Sequence, residues 1–513
     1  MTRFSLTEEG QAKWSIVLAV TFASFVGALS STLIDVVIPE MMGELGMPLE
    51  RAHWLATGFL LANTVSLLLT ATAIRVVGLQ CTYLIGIGVF GAGAILGCVV
   101  SNDFLLIFAR VIQGAGSGLL GPVAFIAISQ IYPPHRRGFA MGIVGAGVLM
   151  GPTLGPLFGA VLVDTIGWRW TYAAQVPLAV ACLYLGKSLR MFRAEGDARV
   201  SFDTHGFLSL CIWVSALLLM LSLSSVYSLS DPLMPALCGV LVISFAYFIR
   251  REMREDDPLV AVGLLLVPRF ALANLMAFAI GFALYGSLLL IPLYLQSVLG
   301  LSATTSGLVL LPAGLIMVAL SPLGGHLSDV ISPRVVISVG MCGFAISVGM
   351  MASLGPHTSF TELVIAVCCG RAALACLLPS LYSAAFRCLP TTAIPQAAGI
   401  TNFSRQLGGT LGVAGASVFL SDRIATHWQA FIGDLDIANL ARSVVADTWT
   451  TEQVALSQGR LWASTYGYRE VLLYVAVGVA IAGIAGLFMG GSRTATLKAT
   501  REERVIESDQ SGS

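Results

Sequence analysis

Charge is scarce in this chain. Only 11 % of its 513 residues are Asp, Glu, Lys or Arg, against about 25 % in soluble domains. The 28 basic residues are cancelled by 28 acidic ones, so there is no basic excess from which a nucleic-acid face could be built. No Cys-x-x-Cys pair occurs among the ten cysteines. All of them fall in apolar runs or at their ends, where a thiol behaves as a small hydrophobe. The six histidines (53, 135, 205, 326, 357, 427) lack ligand spacing, so no metal site is expected. The stretch Ala181–Ser188 imitates a phosphate-binding loop, but its first glycine is missing and it lies inside an apolar run. No Ser/His/Asp order stands out. An ATP-driven pump and an intramembrane hydrolase are therefore excluded as readings; neither an enzyme activity nor a cofactor is expected.

What the chain has in excess is apolar length: 56 % of its residues are hydrophobic and the mean hydropathy is +0.86. A bilayer crossing takes about 20 apolar residues. Runs that long occur at 14–39, 53–75, 81–101, 104–130, 138–163, 168–189, 206–227, 232–249, 270–296, 302–327, 335–355, 361–388, 396–420 and 471–491, which is fourteen. Each must be helical, because only an internal hydrogen-bond ladder satisfies the backbone in lipid. The first run is too long for a signal peptide and follows Glu8 and Glu9, so it reads as a retained span. Threading the fourteen spans from an inside N-terminus puts 19 of the 28 basic residues on the cytoplasmic side and 6 outside. That asymmetry predicts a multi-pass protein of the cell membrane, in contact with lipid, with both termini cytoplasmic.

The charged segments 190–203 and 250–257 bracket two spans without buried charge, which predicts a peripheral pair inserted between two six-helix halves. The expected boundaries are 1–200 for the first bundle, 201–262 for the insert and 263–513 for the second bundle. The last includes an outer loop at 421–470. Ala71–Gly78, after the second span, is echoed by Gly325–Arg334 at the equivalent place in the second half. Repeated halves around a central site mark secondary transporters. In the fifth span Gly147, Gly151, Gly155 and Gly159 recur every four residues, with Pro152 and Pro156 between them. Such glycines form one stripe on a helix, drifting only ~40° per step. A stripe of this kind reads either as a packing seam alone or as a seam on which the two halves rock.

Gly147-x3-Gly151-x3-Gly155-Pro156-x2-Gly159 resembles the antiporter motif of the major facilitator superfamily. Arg110-Val-Ile-Gln113-Gly114 resembles its membrane-embedded arginine motif, and Leu29-Ser30-Ser-Thr32-Leu-Ile-Asp35 its first-span signature in fourteen-span drug:proton antiporters. Trp54, Trp168-Arg169-Trp170, Pro292-Leu-Tyr294-Leu-Gln296 and Asn402-Phe-Ser-Arg405-Gln406-Leu-Gly408-Gly409 are similar to further family motifs. The resemblance implies an all-α integral membrane protein with the major facilitator fold. It implies proton-coupled export of small amphipathic compounds by alternating access, of the multidrug efflux type, and a periplasmic adaptor if the cell is Gram-negative. A dedicated exporter of one metabolite or siderophore-like compound is the alternative within transport, and a membrane sensor on the same fold is the alternative outside it.

The sequence departs from the family pattern where protons are handled. Ser30 stands at the family's first-span acid, and an acid appears instead at Asp35. Asp35 and Arg110 both fall roughly 6–9 Å below the outer boundary at 1.5 Å per residue. They read either as a structural ion pair or as a proton site whose pKa answers to its neighbours. Arg75 replaces the acid of the first cytoplasmic loop motif, and with Gly78, Gly325, Asp329 and Arg334 it forms the expected cytoplasmic gate. The expected substrate cavity comprises Ser30, Asn63, Gln113, Tyr285, Gln296, Arg371, Asn402 and Arg405. Arg371 has no acidic partner in any second-half span, so it either bonds backbone carbonyls or faces the cavity.

Overall fold

In the computed structural model the described residues are 2–133, 136–192, 203–223, 231–255, 257–354, 358–434 and 449–488. Every regular element among them is helical. In chain order these are α1 (Thr2–Leu33), α2 (Ile38–Leu45), α3 (Leu49–Val99), α4 (Asp103–Ile131), α5 (Arg137–Ile166), α6 (Arg169–Ala173), α7 (Gln175–Leu185), α8 (Thr204–Leu223) and α9 (Leu233–Glu252). The second part of the chain supplies α10 (Pro268–Ser297), α11 (Ala303–Val330), α12 (Pro333–Ser353), α13 (Phe360–Ala375), α14 (Leu377–Arg387), α15 (Ile394–Asp434) and α16 (Trp449–Gly486).

Eleven helical stretches among the described residues are long and apolar enough to cross a membrane. The stretch 51–99 is two spans joined at Gly78, whose φ of 81° and ψ of 163° break the helix. Only glycine takes that backbone without a steric penalty. α6 and α7 together make the sixth span. α15 makes the thirteenth, less apolar than the rest because it carries Asn402, Arg405 and Gln406. The count is fourteen, as the apolar runs predict. Helix starts carry local signals: the Asn102 side chain accepts from the Phe104 and Leu105 N–H groups, and Ser359 with Glu362 forms a capping box.

The glycine stripe of α5 packs on α1, in the same half. A Cβ on Gly151 would lie 2.5 Å from the Ala28 carbonyl carbon, and one on Gly155 2.2 Å from Thr32 Oγ1. The second half repeats the arrangement, with Gly408 of α15 against the Phe278 carbonyl of α10 and Gly412 against that of Phe282. The stripe is therefore an internal seam of one bundle and not the seam on which the halves meet. That second seam uses another face of α5, against α11. A Cβ on Gly138 would lie 2.3 Å from the Gly325 carbonyl oxygen, and one on Gly142 2.6 Å from that of Ser321.

The inserted pair is not uniformly peripheral. α9 turns Val242, Ile243 and Tyr247 outward, as a lipid-facing helix should. α8 buries Leu210 and Trp213, and the Trp213 ring meets Phe403 of α15 edge-on with centroids 5.5 Å apart. At the base of the pair, Arg251 Nε donates to both carboxylate oxygens of Asp203, at 2.9 and 2.8 Å. Burial pushes the Asp203 carboxyl up, but Arg251 and the Gly206 N–H outweigh it and hold the group below the usual aspartate range. Residues 193–202, which hold most of the charged segment 190–203, lie outside the described residues, as do 435–448 in the outer loop.

Candidate functional site

Between the halves lies a cavity of about 490 Å³. Its walls come from Ser24–Thr32 of α1, Ala56–Leu67 of α3, Ser117–Gly121 of α4, Tyr285 and Leu289 of α10, and Asn402–Val418 of α15. Leu218, Leu221 and Ser222 of α8 close one side, so the insert contributes to the site. The arginine-rich face, where α5 begins and α11 ends, adds little to the lining: α5 supplies only Val148 and α11 no residue. The cavity's polar groups are hydroxyls and amides, with Arg405 the single charged residue of the described lining. Asn63 Nδ2 donates to Ser117 Oγ at 3.2 Å. Arg405 Nη1 donates to the Tyr285 hydroxyl at 3.3 Å, and the Tyr382 hydroxyl donates to Asn402 Oδ1 at 2.7 Å. Asn402 Nδ2 in turn donates to the Ala398 carbonyl at 3.0 Å.

One turn deeper, Phe125 of α4 and Tyr382 of α14 stack with centroids 3.6 Å apart and planes 19° from parallel. This aromatic floor joins the two halves and stands outside every sequence motif considered above. Below it the α5–α11 seam seals the arginine-rich face. Asp329 Oδ1 accepts from the Gly138 N–H at 2.9 Å and Oδ2 from the Phe139 N–H at 3.1 Å. A carboxylate from one half thus caps a helix N-terminus of the other, where orphan N–H groups and the helix dipole both favour negative charge. Ser321 Oγ donates to the Gly142 carbonyl at 2.9 Å, and Arg387 Nη2 to the Ser328 carbonyl at 3.2 Å.

A second contact between halves runs through the linker after the insert. The Leu259 carbonyl accepts from Thr72 Oγ1 of α3 at 3.3 Å and from Gln396 Nε2 of α15 at 3.2 Å. The Ala261 N–H donates back to Gln396 Oε1 at 3.2 Å. Arg75, which stands where the family motif has an acid, donates to the Pro258 carbonyl at 2.9 Å and to Asp257 Oδ1 at 3.3 Å. Of the expected gate, Gly325 and Asp329 sit in the first seal and Arg75 in this linker contact. Gly78 is the break inside α3, and Arg334 opens α12 beyond the seal.

The expected cavity residues divide in two. Asn63, Tyr285, Asn402 and Arg405 line the cavity; Ser30, Gln113, Gln296 and Arg371 are not among its lining residues. Ser30 and Gln113 serve Arg110 instead. Arg110 is fully buried and donates from Nε to the Leu55 carbonyl at 3.1 Å, from Nη1 to Ser30 Oγ at 3.1 Å and Gln113 Oε1 at 3.0 Å, and from Nη2 to the Ser30 carbonyl at 3.3 Å. Its guanidinium lies 4.2 Å from the ring centroid of Phe59, itself a cavity residue. Gln113 Nε2 continues the chain to Gln175 Oε1 at 3.3 Å. The residue at the family's acid position is therefore the one facing Arg110, as a hydroxyl and a carbonyl.

Asp35 sits differently from expectation. α1 ends at Leu33, and Asp35 falls in the 3-10 turn Ile34–Val36 that leads to α2, so it is past the end of the first long helix. Its side chain lies outside the described residues. Gln296 is exposed at the end of α10. Arg371 is buried in α13, and its Nη1 and Nη2 have no partner among the described residues. Glu44 was not anticipated: its Oε2 accepts from Trp168 Nε1 at 2.6 Å and its Oε1 from Arg169. The Arg169 and Trp168 hydrogen bonds hold its carboxyl below the usual glutamate range. This bond network accounts for the Trp168-Arg169 pair as a staple on α2.

Residues 20–413 match the Major Facilitator Superfamily, well over half of the chain. The chain belongs to that superfamily. Among its relatives, the multidrug export protein EmrB of Escherichia coli K12 is 29 % identical over 82 % of this chain and 82 % of its own. An MFS-type transporter of Mycobacterium tuberculosis, Rv1250, is 31 % identical over 81 % of this chain and 71 % of its own. The human organic anion transporter MFSD10 superposes with a TM-score of 0.57 at 14 % identity, covering 91 % of this chain and 99 % of its own. That likeness carries the fold alone. Family and fold are those of multi-pass membrane transporters, so the cavity between the two halves of this superfamily member is its candidate transport site.

Proposed function

We propose that the chain is a proton-coupled exporter of small amphipathic compounds that works by alternating access between its two six-helix halves. The observation that carries the reading is a cavity between the halves, backed on one face by a seal made of close backbone contacts, the Asp329 cap and the Ser321 Oγ bond to the Gly142 carbonyl. An interface of that kind has two discrete arrangements and is easily broken and remade. Relatives named for multidrug export and for lincomycin resistance support the export direction. The basic-residue asymmetry supports placing the sealed face in the cytoplasm, which makes this the outward-facing state. Arg110 and Asp35 are the proposed proton-responsive pair. Reconstitution tests the reading: proteoliposomes should move a lipophilic probe against its gradient when a pH gradient is imposed and stop when it is collapsed. A sensor on the same fold would show no flux.

The orientation has its own expected result. In a cysteine-less background, cysteines at Ile331 and Ser421 should react with an impermeant thiol reagent from opposite sides of the membrane, Ile331→Cys only from the cytoplasm. Labelling of both from one side would overturn the fourteen-span topology.

A further inference from the structure

We propose that the cavity selects amphipathic organic anions, with Arg405 as the counter-charge for an ionised acid group. The inference rests on the cavity being the transport site and names the substrate class it takes. Arg405 lines the cavity and is 7 % exposed. An arginine does not give up its proton in a protein, so it cannot escape burial by becoming neutral. Among the described residues no carboxylate pairs with it. Its one hydrogen bond among the described residues runs from Nη1 to the Tyr285 hydroxyl, and its Nε is buried without a partner there. None of the described residues lining the cavity is Asp or Glu. A buried cation without a counter-ion is costly, and a ligand that supplies the missing charge recovers that cost on binding.

The neighbours are oriented to help. The Tyr382 O–H is committed to Asn402 Oδ1 and is not offered to a ligand. Tyr285 accepts from Arg405, which leaves its own O–H free to donate toward a ligand in the cavity it lines. An acid group reaching Arg405 from the cavity would thus meet a guanidinium with no carboxylate partner among the described residues and one phenolic O–H, two charge-assisted donors. The remaining wall is mostly aliphatic, with Leu60, Leu67, Leu120 and Leu289 available to cover an apolar body. A lipophilic cation of the same shape would meet the same uncompensated positive charge and be disfavoured.

Three probes of one shape test this: 1-naphthaleneacetate, its neutral amide, and 2-(1-naphthyl)ethylammonium. Their affinities are measured at pH 7 by quenching on the full chain in nanodiscs, and their fluxes in proteoliposomes. The wild type should bind the acid at least on the order of 10-fold more tightly than the ammonium. Arg405→Gln should erase that preference while leaving the amide unchanged, and Arg405→Lys should keep the order with a smaller gap. Tyr285→Phe, a milder change should Arg405→Gln fail to fold, should weaken the acid and spare the ammonium. Equal or cation-favouring binding in the wild type, binding of none of the three probes, or a preference that survives Arg405→Gln would overturn the proposal. Acid-selective binding with no flux of any probe would leave the anion site standing and remove the transport reading; flux without acid selectivity would do the reverse.

Discussion

A Gly325→Val variant is expected to insert normally and to carry no substrate. The Gly325 Cβ position lies 2.1 Å from the Gly138 carbonyl oxygen, a distance that real side-chain carbons do not reach. The obstacle is backbone on both sides, so no flexible side chain can step aside. Overpacking of this kind costs about 1–3 kcal/mol or more, and here the cost falls only on the state in which the α5–α11 seam is closed. A shift of that size alters the balance of two states by roughly 5–150-fold. The variant should therefore accumulate with the cytoplasmic side open. A cysteine at Gly121, on the cavity wall, should then react faster from the cytoplasmic side than in the wild type. Wild-type flux in a well-expressed Gly325→Val protein would mean that the seam is not a moving part. Gly151→Val should also abolish flux, but by separating α5 from α1 in both states, so it should not raise cytoplasmic labelling.

Arg110→Ala should lose gradient-driven transport outright. Removing the guanidinium leaves the Gln113 amide oxygen and the Ser30 hydroxyl oxygen without their donor in a buried site. Each orphaned acceptor costs about 1–3 kcal/mol. Arg110→Lys should recover little, because one ammonium cannot span acceptors on α1, α3 and α4 as the planar fork does. Asp35→Asn separates the coupling role from this structural one. If Asp35 and Arg110 respond to protons together, Asp35→Asn should bind substrate and support counterflow exchange yet lose transport driven by a pH gradient. Unchanged gradient-driven flux in Asp35→Asn would remove Asp35 from the mechanism and leave Arg110 as the keystone of a polar cluster.

The contrast between these two predictions reflects what a sequence can carry. Fourteen apolar runs are legible because lipid leaves the backbone no alternative to a helix. The stripe Gly147–Gly159 is equally legible as a place where another backbone comes close. Periodicity does not say whose backbone, and the structure puts α1 there while the contact between the halves falls on Gly138 and Gly142. Half of the expected cavity set reaches the cavity: Asn63, Tyr285, Asn402 and Arg405. Ser30 and Gln113 are polar residues inside spans, which is also what makes them partners for a buried arginine. The Phe125–Tyr382 stack, the Gln396 grip on residues 259–261 and the contribution of α8 to the cavity wall are all contacts between distant segments. No single-segment pattern encodes them.

Distances across the cytoplasmic seal test the alternating-access claim most directly. Spin labels at Arg136, just before α5, and Ile331, just after α11, flank the Asp329 cap. In nanodiscs their separation should fall into two populations, a short one matching the closed seam and a longer one, with the balance shifting between pH 5 and pH 8 and on adding a transported probe. Gly325→Val should hold the protein in the longer population. A single short distance, unmoved by pH, substrate or Gly325→Val, would contradict the account.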